Sequence, residues 1–322
     1  MNIVVWERAA DETIQKDSVE DIVKISKESK KYYKAQRKFL NAVNIYIGPK
    51  YGLLDHKIMV GDREIPVRIF RPIKNENSGV MIFFHGGGWV TGNIDSYTNV
   101  CVNMANQTGN TVVSVDYRLA PEYPFPCGLE DCYNVTREFF ENPKLLNCKK
   151  SDITLIGDSA GGNLAAAVSL MARDKGQFLP SKQILIYPAT YNDHTENSPF
   201  PSIKENGRDF LLTSRRIQDY MDLYAPNIED RQSPYLAPLL AKDLSNQPAT
   251  LIITAQYDPL RDEGEAYGMR LKEAGNKVKI YRMNDAVHGF FSLPWKSEFV
   301  VRTYAIINSF LNVCNGKSEE LL

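Results

Sequence analysis

Short apolar runs alternate with longer helical patterns along most of the chain. Six of these runs have the length of buried strands, at 80–84, 111–115, 153–156, 183–187, 250–254 and 277–281. The stretches between or after them predict helices at 97–108, 129–141, 161–174, 263–274 and 298–312. Such alternation predicts an α/β fold with a mostly parallel sheet covered by helices on both faces. Before it, segments 56–60 and 64–70 flank a Gly61-Asp62 turn and predict an antiparallel hairpin at the sheet edge.

Two parts of the chain do not fit this alternation. Residues 17–43 have a helical pattern before the first strand, and residues 191–234 are rich in Pro, Asn and aromatic residues, with one predicted helix at 213–224. Insertions of that length are usually lids or binding loops. We therefore expect residues 1–52 and 191–234 to cap a core made of 53–190 and 235–314, with residues 315–322 as a flexible tail.

Composition and charge exclude several classes of protein. The 322 residues are 43% hydrophobic, enough for a large core, and 38 basic against 39 acidic residues leave a net charge of −1. That balance gives no reason to expect a nucleic-acid partner. No apolar run reaches the ~20 residues of a membrane span, and Glu7 and Arg8 interrupt the N-terminal apolar patch, so we expect no membrane insertion and no signal peptide. The basic helical pattern at 17–43 predicts a solvated face, with docking on a lipid surface as the alternative.

Cysteine and histidine usage points to a cytoplasmic protein without a cofactor. The five cysteines are odd in number and form no CxxC pair, which favours reduced thiols: Cys101, Cys127, Cys132, Cys148 and Cys314. The four histidines are scattered and have no paired cysteine ligands beside them. We expect neither a metal nor an organic cofactor.

A serine nucleophile is indicated by the sequence Gly157-Asp158-Ser159-Ala160-Gly161. An apolar run precedes this G-x-S-x-G pattern, and a helix-forming run follows it. A tight strand–turn–helix connection strains the central residue and projects its hydroxyl from the sheet edge, and small neighbours avoid clashes there. The alternative, a glycine-rich phosphate-binding turn, lacks a Walker lysine and a GxGxxG pattern. Ser159 is therefore the candidate nucleophile.

The sequence His85-Gly86-Gly87-Gly88-Trp89 follows the strand at 80–84 and is the more specific of the two motifs. Acyl transfer builds negative charge on a carbonyl oxygen, and glycine N–H groups can approach that oxygen because no Cβ stands in the way. We interpret His85, with Gly86, as support for this loop and not as a catalytic base.

A serine hydroxyl needs a base, and the base needs an acid to orient it. Of the four histidines, His288 follows the last predicted strand, whereas His56 opens a strand and His194 lies in the predicted cap. Asp258 follows the strand at 250–254, where α/β enzymes place site residues. The competing acids are Asp262, Glu263, Glu265 and Asp285, of which Asp262 and Glu263 are better explained as charge partners of a helix N-terminus. The order Ser159, Asp258, His288 is that of the α/β-hydrolases.

From about residue 55 to 311 the chain resembles the hormone-sensitive-lipase-like branch of the α/β-hydrolases, which includes acetyl esterases and arylacetamide-deacetylase-like enzymes. The resemblance is carried by residues 85–88, 116–122, 157–162, 258–263 and 288–290. It implies a capped sheet of about eight strands, a cofactor-free ester hydrolase, and an oxyanion hole formed by Gly87, Gly88 and Ala160. The matching segment 116–122 is interpreted as a structural turn, in which Arg118 forms an ion pair within the protein.

Three functions are compatible with these motifs. The expected one is a serine carboxylesterase that acts through an acyl-enzyme on a small-molecule ester and water, as a monomer or homodimer. One alternative is amide hydrolysis by the same residues. The other is a non-catalytic binding module, which would be expected to lack one of Ser159, Asp258 and His288. Bulky groups expected at the pocket mouth, among them Trp89 and Phe290 as substrate-binding residues, favour acyl groups of about two to six carbons.

Overall fold

In a computed structural model of the chain, residues 32, 34, 35, 37, 52–73, 79–294 and 296–314 are described. Eight strands form one sheet: β1 Leu53–Val60, β2 Arg63–Phe70, β3 Val80–Phe84, β4 Thr111–Val115, β5 Ile153–Asp158, β6 Lys182–Ile186, β7 Ala249–Tyr257 and β8 Val278–Val287. Their order across the sheet is β1-β2-β4-β3-β5-β6-β7-β8. Strands β1 and β2 pair antiparallel with each other, and β2 also pairs antiparallel with β4. The remaining pairs are parallel, so the predicted fold class is confirmed.

Seven α-helices are described: α1 Thr98–Thr108, α2 Cys127–Glu141, α3 Ala160–Lys175, α4 Pro201–Asn206, α5 Ser214–Tyr224, α6 Arg261–Glu273 and α7 Glu298–Cys314. Five short 3-10 helices lie between them, at Pro143–Leu146, Lys150–Asp152, Ile228–Gln232, Pro238–Leu240 and Phe290–Ser292. The predicted helices match the observed ones to within three residues at each end. Helix α4 was not predicted, because its six residues are too few to show a helical period.

The central strands are buried on both faces, and each face has its own apolar core. Alternate residues of β3 point to opposite sides: Ile82 packs in one core, and Met81 and Phe83 in the other. The first core takes apolar residues from α2, α3, α6 and the cap helix α5. The second takes them from α1 and α7. This arrangement explains why the central strands appear in the sequence as continuous apolar runs and not as alternating ones.

The sheet creates a crevice where its strand order reverses. The chain moves outward from β3 to β4 on one side and continues from β5 to β8 on the other. Loops at the carboxyl ends of β3 and β5 therefore leave in different directions, and ligands of open α/β sheets bind at this point. The glycine loop follows β3, and Ser159 follows β5.

The N-terminal part of the predicted cap lies outside the described residues, except for Tyr32, Lys34, Ala35 and Arg37, which are helical. The tail at 315–322 also lies outside them. The predicted boundaries between cap and core therefore stay predictions. No helix among the described residues has the length and apolar character needed to cross a bilayer.

Candidate active site

Ser159 sits in the strained turn between β5 and α3. Its backbone has φ 54° and ψ −120°. Residues other than glycine rarely adopt such a positive φ, so this backbone is strained. The glycines around it are required by close approach: a Cβ on Gly157 would lie 2.2 Å from the Gly161 carbonyl oxygen, and one on Gly161 would lie 1.9 Å from that of Phe84. The predicted steric reason for the G-x-S-x-G pattern is therefore present in the structure.

The side chains of Ser159, His288 and Asp258 form a continuous hydrogen-bond relay. Ser159 Oγ lies 2.9 Å from His288 Nε2, and His288 Nδ1 lies 2.7 Å from Asp258 Oδ2. Asp258 is fully buried, whereas His288 is 9% exposed. The structure thus brings together three residues that are up to 129 positions apart in the chain. The imidazole is placed to take the Ser159 proton while its other nitrogen is held by a carboxylate.

The second oxygen of Asp258 and the backbone around it are also held. Oδ1 accepts the N–H of Leu260 at 2.9 Å, so both carboxylate oxygens have fixed partners. From the cap helix α4, Asn206 Nδ2 donates to the Asp258 carbonyl at 3.3 Å, and Ser202 Oγ donates to that of Pro259 at 2.8 Å. Helix α4 therefore contributes to the position of the acid.

The backbone N–H groups of the expected oxyanion hole belong to the glycine loop after β3 and to the start of α3. Gly87 and Gly88 have φ values of 122° and 61°, which only glycine adopts without strain. Ala160 is the first residue of α3, so its N–H has no partner within the helix. Among the described residues, no hydrogen bond uses the N–H groups of Gly87, Gly88 or Ala160.

Asp158 connects the nucleophile turn to the glycine loop. Its Oδ1 accepts the Gly86 N–H at 2.8 Å, and its Oδ2 accepts the hydroxyl groups of Tyr97 at 3.2 Å and Tyr187 at 3.4 Å. Burial raises the pKa of this carboxyl to about 6, although the hydrogen bonds from Gly86 and Tyr97 act in the opposite direction. The motif pattern treats the position of Asp158 as variable, so the sequence assigns this residue no role.

His85 is a buried structural residue, as predicted. It is 0% exposed, and burial lowers the pKa of its imidazole to about 4, so the ring is neutral at physiological pH. Its Nδ1 lies 2.8 Å from the Gly86 carbonyl oxygen, and its ring stacks on Tyr117 with centroids 4.3 Å apart. The relay at Ser159 uses His288 and not His85. His85 therefore fixes the start of the glycine loop.

Comparison with known proteins agrees with this geometry. A sequence profile of the α/β-hydrolase fold matches residues 81–292. The chain belongs to the α/β-hydrolase family. As the motifs predicted, it falls in the hormone-sensitive-lipase-like branch.

Individual relatives of this α/β-hydrolase are esterases. An arylesterase of Saccharolobus solfataricus is 40% identical over 247 residues, which cover 76% of this chain and 79% of that protein. The carboxylesterase NlhH of Mycobacterium tuberculosis is 38% identical over 234 residues, covering 71% and 72% of the two chains. The solved structure of a hyperthermophilic esterase from Pyrobaculum calidifontis aligns with a TM-score of 0.75 and 36% identity, over 90% of this chain and 94% of that chain.

Two side chains that the sequence analysis assigned to the pocket mouth of this α/β-hydrolase are buried in the structure. Phe290 is 1% exposed and packs edge-on against Tyr187, so it belongs to the core beneath His288 and not to a pocket mouth. Trp89 is 3% exposed and stacks on Tyr224 of the cap, with ring centroids 4.6 Å apart. Trp89 thus connects the glycine loop to the cap.

Two other residues of segment 191–234 lie beside the glycine loop and beside the residue that follows His288. A Cβ on Gly88 would be 2.3 Å from Cδ2 of Tyr220, so the tyrosine ring lies directly against the candidate oxyanion loop. Leu211 is 66% exposed, and its Cδ2 lies 3.7 Å from the Cβ position of Gly289, which follows His288. Leu211 was missed, because a leucine between two apolar neighbours gives no sign of its direction.

Three of the competing acids have partners outside the relay. Glu263 is buried and accepts the N–H groups of Thr190 at 2.6 Å and Tyr191 at 3.1 Å, and it pairs with His194 at 2.8 Å. Its position in the first turn of α6 fits the expected role as a charge partner of that helix, and its carboxylate also holds the backbone at Thr190 and Tyr191. Asp262 accepts the N–H of Ser202 and pairs with Arg261. Glu265 pairs with Arg282.

Other predictions concern side chains outside the relay. Arg118 pairs with Asp131 through Nε and Nη2 at 2.8 and 2.9 Å, which confirms its internal pairing. The side chains of four cysteines are described, and all four are free thiols: Cys101, Cys127, Cys132 and Cys148. Within the described part of the chain, no group of three or more His, Cys, Asp or Glu residues is arranged to hold a metal ion.

Proposed function

We propose that this α/β-hydrolase is a serine carboxylesterase. The observation that carries the proposal is the Ser159–His288–Asp258 relay, with distances of 2.9 and 2.7 Å, next to three unused backbone donors. The named relatives, an arylesterase and a carboxylesterase, support the same reaction class.

The reaction follows from the positions of these groups. Ser159 Oγ attacks the ester carbonyl carbon while its proton passes to His288 Nε2, and the carbonyl oxygen becomes an oxyanion. The N–H groups of Gly87, Gly88 and Ala160 donate to that oxygen, and Asp258 stabilises the imidazolium. When the tetrahedral intermediate collapses, the alcohol leaves with the proton from His288, and the acyl group stays on Ser159.

The second half of the reaction uses the same groups. His288 removes a proton from water, the resulting hydroxide attacks the acyl carbonyl carbon, and the oxyanion forms in the same place. Collapse breaks the bond to Ser159 Oγ, which regains a proton from His288 as the carboxylic acid leaves. No cofactor takes part in this proposal, because the serine, the imidazole and water balance every bond and proton.

We further propose a short acyl group, of about two to six carbons, as the preferred substrate. The support comes from two bulky side chains of segment 191–234: Tyr220 lies against Gly88, and Leu211 lies beside Gly289, the residue after His288. Bulky side chains at both positions restrict the apolar space, so length is limited by steric exclusion. The protein is also proposed to act in the cytoplasm as a monomer or homodimer.

Covalent labelling tests the proposed function. A fluorophosphonate probe should label Ser159, identified by peptide mass spectrometry, and Ser159→Ala should abolish labelling and lower kcat by several orders of magnitude. Ser151→Ala is the matched control, because Ser151 is exposed and lies before the opposite end of β5. Labelling of a different serine contradicts the assignment. Faster turnover of a p-nitroanilide than of the matching p-nitrophenyl ester would favour amide hydrolysis instead.

A further inference from the structure

The Arg37 side chain connects the N-terminal segment to the loop that contains Gly87 and Gly88. Its Nε donates to the Val90 carbonyl at 2.7 Å, and its Nη2 donates to the Ala120 carbonyl at 2.7 Å. Nη2 also lies 3.2 Å from a carboxylate oxygen of Glu122. The side chain is only 20% exposed. One planar guanidinium thus holds two main-chain carbonyls from separate loops.

The two carbonyls that Arg37 reaches belong to buried residues. Val90 and Ala120 are both 0% exposed, and among the described residues no other donor reaches either carbonyl oxygen. A buried carbonyl that loses its donor is destabilised, and the backbone shifts to find another partner. Loss of Arg37 would therefore first displace the backbone at Val90 and Ala120.

Val90 lies two residues after Gly88, within the turn that sets the backbone of the glycine loop. The Gly87 carbonyl accepts the N–H groups of Val90 at 3.1 Å and Thr91 at 2.9 Å. The Trp89 carbonyl accepts the Ala120 N–H at 2.9 Å. Both loops that Arg37 joins are thus hydrogen-bonded to carbonyls of the residues on either side of Gly88, namely Gly87 and Trp89, so a shift of Val90 or Ala120 also moves Gly88.

We propose that Arg37 is a positioning residue for the oxyanion hole. It fixes the carbonyls of Val90 and Ala120, and through them it holds the N–H groups of Gly87 and Gly88 in line with the developing oxyanion. The inference rests on the proposed esterase function. It assigns the N-terminal segment a role in stabilising the transition state, in addition to the covering of the site expected from the sequence.

Lys34 provides a matched control on the same segment. It lies three residues before Arg37 in helical conformation, so both side chains share a helix face. Its ammonium lies 3.1 Å from Glu122 and is 53% exposed. Within the described part of the chain it bonds no carbonyl of the glycine loop. Removing Lys34 therefore removes a positive charge from the same place without removing the carbonyl contacts.

The kinetic test compares Arg37→Ala, Arg37→Lys and Lys34→Ala on a short p-nitrophenyl ester. Arg37→Ala should lower kcat about 10- to 100-fold with KM changed by less than about threefold, since misplaced oxyanion donors weaken transition-state stabilisation selectively. The affinity for a trifluoromethyl ketone, which forms a tetrahedral anionic adduct on Ser159, should fall by the same factor as kcat. Lys34→Ala should stay within about threefold of the unmodified protein in kcat.

Arg37→Lys keeps the charge but has no planar fork, so it should also lose more than about threefold in kcat. If Arg37→Ala does not fold, Arg37→Lys takes its place in the kinetic test. A loss in kcat of less than threefold in the folded Arg37 variant, or a loss no greater than that of Lys34→Ala, overturns the proposal. A change confined to KM, with unchanged affinity for the ketone, overturns it as well.

Hydrogen exchange tests the same contact without any substrate. Amide exchange of peptides spanning residues 85–95, followed by mass spectrometry, should be faster in the Arg37 variants than in Lys34→Ala and the unmodified protein. Equal exchange in all of them overturns the positioning role. If the unmodified protein hydrolyses no ester, the proposed function fails, but the exchange comparison still decides whether Arg37 holds the glycine loop.

Discussion

The carboxylate of Asp158 accepts the backbone N–H of Gly86 at 2.8 Å and so joins the residue before the nucleophile to the residue before the candidate oxyanion donors. The two halves of the proposed active site, which follow β5 and β3, are therefore held together by a buried acid. Tyr97 and Tyr187 donate to its other oxygen. A carboxylate in this position has a measurable consequence for stability.

Burial raises the pKa of Asp158 to about 6 in the folded protein, whereas its pKa in the unfolded chain is ~4. The carboxyl therefore binds a proton more readily in the folded protein than in the unfolded chain. The resulting contribution to stability is fully present below about pH 4 and is lost as the pH rises to about 6, amounting to about 2–3 kcal/mol. Asp158→Asn keeps an acceptor for Gly86 but has no proton to release. Its free energy of unfolding, relative to the unmodified protein, should increase by that amount between pH 4 and pH 7.

Chemical denaturation at a series of pH values measures this difference. Asp62→Asn is the control, because Asp62 is exposed in the turn between β1 and β2, and its difference from the unmodified protein should not change over the same range. A pH-independent difference for Asp158→Asn would show that folding does not raise the pKa of Asp158.

The role of the acid is tested by Asp258→Asn. The amide cannot stabilise the imidazolium and favours the wrong histidine tautomer, so kcat should fall by about 10³–10⁴. Asp262→Asn is the matched control: Asp262 lies four residues later and pairs with Arg261 and Ser202, outside the relay. Both variants are assayed with the same p-nitrophenyl ester. If Asp262→Asn is the variant that loses activity, the acid has been assigned wrongly.

Gly88→Ala should damage the glycine loop through steric contact as well as backbone strain. Gly88 has φ 61°, and its added Cβ would lie 2.3 Å from the ring of Tyr220, so kcat should fall by about 10- to 1000-fold. Gly176→Ala is the matched control, since its φ of 62° is almost the same but nothing lies within 4 Å of its added Cβ.

Gly176→Ala should therefore lower the free energy of unfolding by about 1–2 kcal/mol and leave kcat unchanged. Comparing the two variants separates strain from contact. Equal kinetic behaviour of Gly88→Ala and Gly176→Ala would mean that the Tyr220 contact and the loop N–H groups do not matter for turnover.

The acyl preference is tested with p-nitrophenyl esters from acetate to palmitate. For the unmodified protein, kcat/KM should be highest within about two to six acyl carbons. Tyr220→Ala removes the ring beside Gly88 and should shift the maximum towards longer chains, each added methylene then contributing up to about 0.8 kcal/mol where it is buried. A maximum at ten carbons or more in the unmodified protein, or strong activation by emulsified lipid, contradicts the short-acyl proposal and favours docking of the basic N-terminal segment on a lipid surface.

Several features were predictable because neighbouring residues in the chain produce them. A strained strand–turn–helix needs glycine at Gly157 and Gly161 wherever it occurs, so the nucleophile turn can be recognised from five consecutive residues. Apolar runs predicted the central strands because both faces of the sheet are covered. The choice of His288 followed from its place after the last strand, and the relay distances agree with it.

Other features depend on contacts between distant segments, which no local pattern contains. The bond from Asp158 to Gly86 joins residues 72 positions apart, and that from Arg37 to Val90 joins residues 53 apart. Phe290 was predicted at the pocket mouth but lies in the core, because the turn after His288 decides on which side of the sheet it falls. By itself, the sequence indicated the hydrolase family and singled out the three residues that form the relay. The folded chain alone decided which buried side chains hold them in place, because burial and packing depend on where all segments meet.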